Sequence, residues 1–262
     1  MGARDVDKAS SDSETSRTCR TDTAAAAVRE QAGAVTPPDS APAASSSPSF
    51  RDRVRGAASP SPDVAELVLA SSPAEPVSLF LRWLDDAVAA GVVQPHAFTL
   101  STASTASGPT ARTLLLKDVD DSFWFTSSSL SPKGRQIAED ERVALTFFWA
   151  AQGRQVRVTG SAVAGPRDVA EEDFRHRHPD SRAVAVAVPQ STEVDDDEAA
   201  DEALDRARAE VEADDDLVPD DWTAYRVLPV SVEFWQATTG RDQVRVRYDR
   251  VGDDWRRASL WP

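Results

Sequence analysis

The chain has 262 residues, 29 Lys and Arg against 44 Asp and Glu, and a formal net charge of −15, while 40% hydrophobic residues with seven Trp and nine Phe suffice for a real core in one large domain or two small ones. That charge excludes a role driven by phosphate contacts along nucleic acid for the chain as a whole. The single Cys19 excludes an intrachain disulfide or cysteine metal site, and His96, His176 and His178 are too scattered for a metal centre. No membrane-length apolar run or secretion signal is present, so a soluble protein of the reducing cytoplasm is expected.

Residues 1–48 are rich in Ala, Ser, Thr, Asp and Pro without one aromatic side chain, which predicts a disordered tail. Residues 49–74 start with the basic SFRDRVRG and continue as a Pro and Ser linker, either an arm folded over a site or a solvated connection. From Pro76 to Gly91, Leu79, Phe80, Trp83, Leu84, Ala87 and Val88 fall at helical spacing with Asp85 and Asp86 on the other face.

Strands are predicted over His96–Thr102 and Ala111–Lys117 around a turn at Ser104–Pro109, then over Phe123–Thr126 after a turn at Asp118–Ser122. Val143–Trp149 and Gln155–Val163 read as two more. In the second, Gln155, Arg157 and Thr159 share a polar face that either lines a ligand site or meets water. Pro166–His178 reads as a helix, Asp180–Gln190 as an Ala and Val stretch, and Glu193–Asp216 as an exposed acidic helix. The acid gathered in residues 193–221 leaves Arg154–Arg157 and Arg241–Arg250 free to meet a small anion. Strands resume at Ala224–Leu228, Val230–Gln236, Gln243–Tyr248 and Trp255–Leu260, with Gly252 and Asp253 in a hairpin turn. Without βαβ alternation, this order predicts a mainly β protein, an antiparallel barrel with flanking helices.

The stretch Ala111–Gly134 concentrates the chemistry. Cations Arg112 and Lys117 bracket an apolar strand, and Ser127, Ser128, Ser129 and Ser131 precede Lys133, Gly134 and a helix over Arg135–Asp140. Hydroxyls, a lysine and a helix start make a phosphate seat. The same pattern is also that of a surface hairpin with a solvated serine loop.

Segments SLFLRWLDDAV, ARTLLLKDVD, SPKGRQIA, FFWAAQGRQVRV, PQS, VEFWQ and WRRASLWP agree in order and spacing with one family. Residues 75–262 resemble the pyridoxamine 5'-phosphate oxidases, of the FMN-binding split β-barrel fold, with an acidic helical insertion at about 193–221. The resemblance implies FMN held by Arg112, Thr113, Leu114, Leu115, Leu116, Lys117, Thr126, Ser127, Lys133, Gln155, Gln190, Ser191, Trp235 and Arg245, in a homodimer with its sites at the interface. It implies a small phosphorylated pyridine substrate bound by Lys117, Ser181 and Arg241, with Arg241 and Gln243 at the catalytic positions and no membrane or nucleic-acid partner.

The family's phosphate-binding Tyr is replaced by Phe174, its nearby Arg by His178 or Arg177, its C-terminal His by Gln243, and the Arg beside its phosphate-binding Lys by Pro132. The implied reaction is oxidation of pyridoxine or pyridoxamine 5'-phosphate to pyridoxal 5'-phosphate by dioxygen. The alternatives are an FMN-dependent oxidase of another ring compound, such as a phenazine-type precursor, and a flavin or pyridoxal phosphate binding protein with little turnover.

Overall fold

The computed structural model describes residues 50–57, 64–187, 190–240 and 242–262. The expected tail over 1–48 lies outside them, as do part of the linker, Pro189 of the PQS segment and Arg241. The chain divides into two units, residues 1–56 and 57–262. In the first, Phe50–Arg55 forms a short helix, α1, with Phe50 and Val54 exposed. Its basic Arg53 and Arg55 lie in the last turn, where the helix dipole favours cations.

The second unit opens with α2, Pro76–Ala89, where Pro76 occupies the first turn and has no N–H to leave unpaired. Leu79, Phe80, Trp83 and Ala87 are buried from it, whereas Val88 is exposed. The Phe80 ring lies 5.0 Å from Phe123 and 4.8 Å from Phe147, and Trp83 lies 5.2 Å from Phe234, all edge to face. Asp86, expected on the face opposite the apolar one, pairs at 2.7 Å with Arg154, a 2% exposed cation whose guanidinium also lies 4.5 Å from the Trp83 ring. Burial without that carboxylate would be costly, so Arg154 is part of the core and not free for an anion.

The strands are β1 (Ala97–Ser104), β2 (Gly108–Leu115), β3 (Asp118–Val119), β4 (Phe123–Ser128), β5 (Arg142–Trp149), β6 (Arg154–Ala164), β7 (Trp222–Ala237), β8 (Gln243–Val251) and β9 (Asp254–Leu260). They form one antiparallel sheet ordered β2-β1-β5-β6-β7-β4-β3, with β8 and β9 branching from β7. Leu116 N donates to His96 O and Lys117 N to Trp124 O. The chain from β2 to β3 is therefore one line bonded first to β1 and then to β4, and the ring closes. Alternation carries Phe98, Leu100, Leu145, Phe147, Val156 and Val158 into its interior.

β7 is where the barrel splits. Residues 222–227 pair with β4, and 231–237 pair with β8 on the same edge. Between them Thr159 faces Ser231 and Gly160 faces Pro229, so Val230 is the extra residue of a bulge. A Cβ on Gly160 would lie 2.1 Å from the Leu228 carbonyl oxygen, so only glycine fits this approach. Two strands expected on either side of Pro229 are thus a single one, because a proline is tolerated at a bulge.

Helices α3 (Pro132–Glu139), α4 (Arg167–Arg175), α5 (Pro179–Ala187) and α6 (Asp197–Ala213) complete the unit. The Ala and Val stretch is the helix α5. The acidic helix α6 is not simply solvated, since Ala207 and Val211 are buried in one cluster with Ala183 of α5. Buried Arg182 donates to the carbonyls of Asp214, Asp215 and Leu217, satisfying oxygens just past the end of α6. Among the described residues no helix is long and apolar enough to cross a membrane.

Candidate active site

The serine loop joins β4 to α3. Ser129 N donates to Asp221 O at 2.8 Å, and Ser131 caps α3 by accepting from Gly134 N. A Cβ on Gly134 would lie 2.3 Å from Ser129 O and 2.7 Å from Ser128 O, so glycine lets the helix start press against the loop. Helix α3 begins at Pro132, earlier than the sequence pattern suggests, and this places Lys133 in its first turn.

Lys133 is 5% exposed, and its Nζ donates to Ser127 Oγ at 3.0 Å, Ser131 Oγ at 3.2 Å and Gln190 Oε1 at 2.6 Å. Arg112 points from β2 into the same region, donating to Thr102 Oγ1 at 2.6 Å, Thr110 Oγ1 at 2.7 Å and Gln136 Oε1 at 3.1 Å. Every one of these acceptors is neutral. Among the described residues neither cation has a carboxylate partner, and burial lowers the pKa of both. Lys133 falls to about 8, through burial first and the charge of Arg112 second. On β4, Thr126 Oγ1 is buried with no hydrogen-bond partner, on the opposite face of the strand from Ser127.

Of the remaining residues expected from the RTLLLK strand, Leu114 turns toward the core while Thr113 and Leu115 face outward, and Leu116 is buried. Lys117 is engaged elsewhere, its Nζ 3.0 Å from Asp173 Oδ1 on α4. The other oxygen, Asp173 Oδ2, accepts from Trp222 Nε1 at 3.3 Å. Phe174 is fully buried, edge to face with Trp222 at 5.3 Å, and presents nothing to a ligand. His178 is exposed, with Nδ1 3.5 Å from Asp180 Oδ2. Arg177 instead stacks at 4.5 Å over Trp222. It lines, with Ser181, Gln190 and Ser191, a cavity of about 770 Å³ between the serine loop, α5 and α6. Ser191 has φ of 69°, a left-handed backbone that non-glycine residues rarely adopt.

The other expected contacts form a second cluster on the outer face. Gln155 stands in register with Trp235, and Trp235 with Arg245. Trp235 Nε1 donates to Gln243 Oε1 at 2.7 Å. Arg245 holds Glu233 at 2.8 Å and Arg157 holds its other oxygen at 2.7 Å; Arg247 pairs with Asp249 at 2.9 Å. The basic stretches expected to await an anion are therefore largely neutralised within the chain, because strand register sets acids beside them. No hydrogen bond or ion pair joins this cluster to Lys133 and Arg112 among the described residues. Ser127 is opposite Thr223, and from there to Trp235 is on the order of 40 Å of strand.

The sequence reading passed over Thr102, Thr110, Gln136 and Asp173. Gln136 was accessible to it, since Lys133 and Gln136 are three apart on one helix and share a face. Asp173 offered no signal, being one acid among several in α4.

Comparison with known proteins agrees with this geometry. Residues 84–213 match the pyridoxamine 5'-phosphate oxidase family, and residues 222–262 match the pyridoxine 5'-phosphate oxidase C-terminal dimerisation region. The chain is 39% identical over 192 residues to the pyridoxine/pyridoxamine 5'-phosphate oxidase of Thermosynechococcus vestitus, covering 72% of this chain and 89% of the relative. It is 39% identical over 201 residues to that of Pseudomonas paraeruginosa, covering 74% and 91%. Among solved structures, PhzG from Burkholderia lata in complex with tetrahydrophenazine-1-carboxylic acid superposes with a TM-score of 0.73 at 31% identity, covering 77% of this chain and all of that one. With the closed ring and the split at β7, these matches establish that the chain belongs to the pyridoxamine 5'-phosphate oxidase family of FMN-dependent oxidoreductases.

Proposed function

We propose that the protein oxidises pyridoxine or pyridoxamine 5'-phosphate to pyridoxal 5'-phosphate, with Arg112 and Lys133 seating the phosphate of FMN. The observation that carries the flavin assignment is a buried lysine beside a half-buried arginine, neither with a carboxylate partner among the described residues. Two such charges side by side destabilise each other until an anion joins them. The residues present fit that group. Lys133 can turn its three donors from neutral oxygens to phosphate oxygens. FMN, when bound, supplies the two-electron redox chemistry with dioxygen as acceptor.

Gln190 and Ser191 flank the seat, and Gln155, Trp235 and Arg245 act on the flavin from the second subunit of a homodimer. Two features support that division. One chain holds the two clusters far apart along β7, and the segment carrying Trp235 and Arg245 matches a dimerisation region. Ser181 and Arg177 orient the substrate from the cavity wall, Arg177 with its guanidinium fixed over Trp222. Gln243 holds the indole of Trp235 and, unlike a histidine, carries no proton exchange near neutral pH. The role of Arg241 over the substrate ring rests on the family resemblance.

A second reading has its own observation. With Lys117 paired to Asp173 and Phe174 sealed in a core, two positions that would grip a substrate phosphate do not present a free donor. This favours an unphosphorylated ring compound of the phenazine-precursor type. Anaerobic titration of the FMN-loaded protein with pyridoxine 5'-phosphate decides between them. Flavin bleaching that recovers in air with formation of pyridoxal 5'-phosphate is the expected result. Full flavin occupancy without bleaching overturns it and turns the assay to other rings.

A further inference from the structure

We propose that Asp173 sets the phosphate selectivity of this site by acting through Lys117 and Arg177. The inference rests on the reading above in taking the Lys117 side of the site as the substrate side. Asp173 lies on α4 directly before Phe174, with one carboxylate oxygen 3.0 Å from Lys117 Nζ and the other accepting from the Trp222 indole at 3.3 Å. Burial lowers the pKa of Arg177, and the nearby charge of Asp173 opposes that shift. Arg177 is itself held over the same indole. One carboxylate thus pairs with one of the two cations that a substrate phosphate would use and acts through its charge on the other.

Its side chain is 16% exposed and that of Lys117 34% exposed, so the pair faces a partly desolvated space where charge acts strongly. A dianionic phosphate entering here must take Lys117 from its partner and also meet a like charge at close range. Juxtaposed like charges disfavour binding strongly, whereas a neutral ring substituent pays neither cost. Asp173 is therefore a positioning and selectivity residue, which penalises phosphate esters relative to their unphosphorylated counterparts. Trp222 fixes the carboxylate, because its N–H has no better acceptor in the buried cluster with Phe174, Ala170 and Ala224.

The test uses binding, so that it does not depend on turnover. The full chain loaded with FMN is titrated with inorganic phosphate, pyridoxal 5'-phosphate and pyridoxal, following the flavin difference spectrum, for wild type and Asp173→Asn. The amide oxygen of Asn can still accept from Trp222, so only the charge is lost. Affinity for both phosphate ligands should rise at least about tenfold with that for pyridoxal unchanged. Asp173→Glu should return the phosphate affinities toward wild type, and Lys117→Met in the Asp173→Asn background should abolish the gain. Unchanged or weaker phosphate binding in Asp173→Asn, or an equal gain for pyridoxal, overturns the proposal. Should Asp173→Asn not load FMN, Asp173→Ser, which also removes the charge, carries the same comparison. Failure of pyridoxine 5'-phosphate to bleach the wild-type flavin would overturn the assigned reaction and leave these affinities to judge Asp173.

Discussion

Lys133 and Lys117 flank β4 and both sit among residues expected to touch FMN or substrate, yet the chain treats their charges in opposite ways. Lys133 is buried beside Arg112 with only neutral oxygens around it, and its pKa is lowered to about 8. Lys117 is partly exposed and paired with Asp173. A buried lysine beside a half-buried arginine, with no acid between them, is costly unless something outside the chain supplies the negative charge. The contrast therefore separates a seat completed by an anionic ligand from a site whose charge is already balanced.

The strongest way to break this comparison is to remove the close approach that builds the seat. Gly134→Ala would set a methyl group against the carbonyl oxygens of Ser129 and Ser128. Overpacking of this kind costs about 1–3 kcal/mol. The melting temperature of the empty protein should drop by roughly 5 °C, and FMN should be lost on gel filtration. Normal retention of FMN would show that the helix start is not what positions Lys133.

Lys133→Met comes next. Losing charge-assisted bonds worth about 1.5–3 kcal/mol should weaken FMN about 100-fold. The empty protein should melt no lower than wild type, because the substitution also removes a buried cation beside Arg112. Flavin fluorescence titration and thermal melting check the two halves separately.

The titration of Lys133 gives a third effect of intermediate size. Its folded pKa of about 8 lies below the ordinary 10.5, so between those values the native state binds fewer protons than the unfolded chain. The empty protein gains stability from this group as pH rises through that window. An anion in the seat favours the charged lysine and raises its pKa, so FMN binding should take up a proton above pH 8. Affinity should then fall by up to about tenfold per pH unit. Calorimetry at pH 8.5 in buffers of different ionisation enthalpy measures that uptake, and Lys133→Arg should flatten it.

Much of the barrel was legible because its strands alternate. Val143–Trp149 was read to within one residue of β5, and the β8–β9 turn at Gly252 is as expected. The serine loop, Lys133 and the helix start were legible as one cluster because they are local in sequence, whereas Arg112 joins them through Gln136 across the fold. What could not be read locally was pairing. That Arg154 belongs to Asp86, Arg157 and Arg245 to Glu233, and Lys117 to Asp173 depends on strand register and helix docking between residues far apart in the chain. A sequence shows where cations are, and the fold decides which of them remain without an acid.

Lys117→Met is the smallest expected effect and the most direct check on that conclusion. The family resemblance places Lys117 against both flavin and substrate, which by itself implies a loss comparable with that at Lys133. The structure gives Lys117 a carboxylate partner, so its charge is already balanced within the chain. FMN affinity should therefore change by no more than about fivefold, against about 100-fold at Lys133. Removing the lysine frees the Asp173 carboxylate, which retains the Trp222 indole and lies near Arg177. Phosphate ligands should then bind more weakly than in wild type, because the site loses a cation while keeping its acid. If Lys117→Met weakened FMN as much as Lys133→Met, pairing within the chain would not be what distinguishes the two lysines, and the flavin phosphate would have to be shared between them.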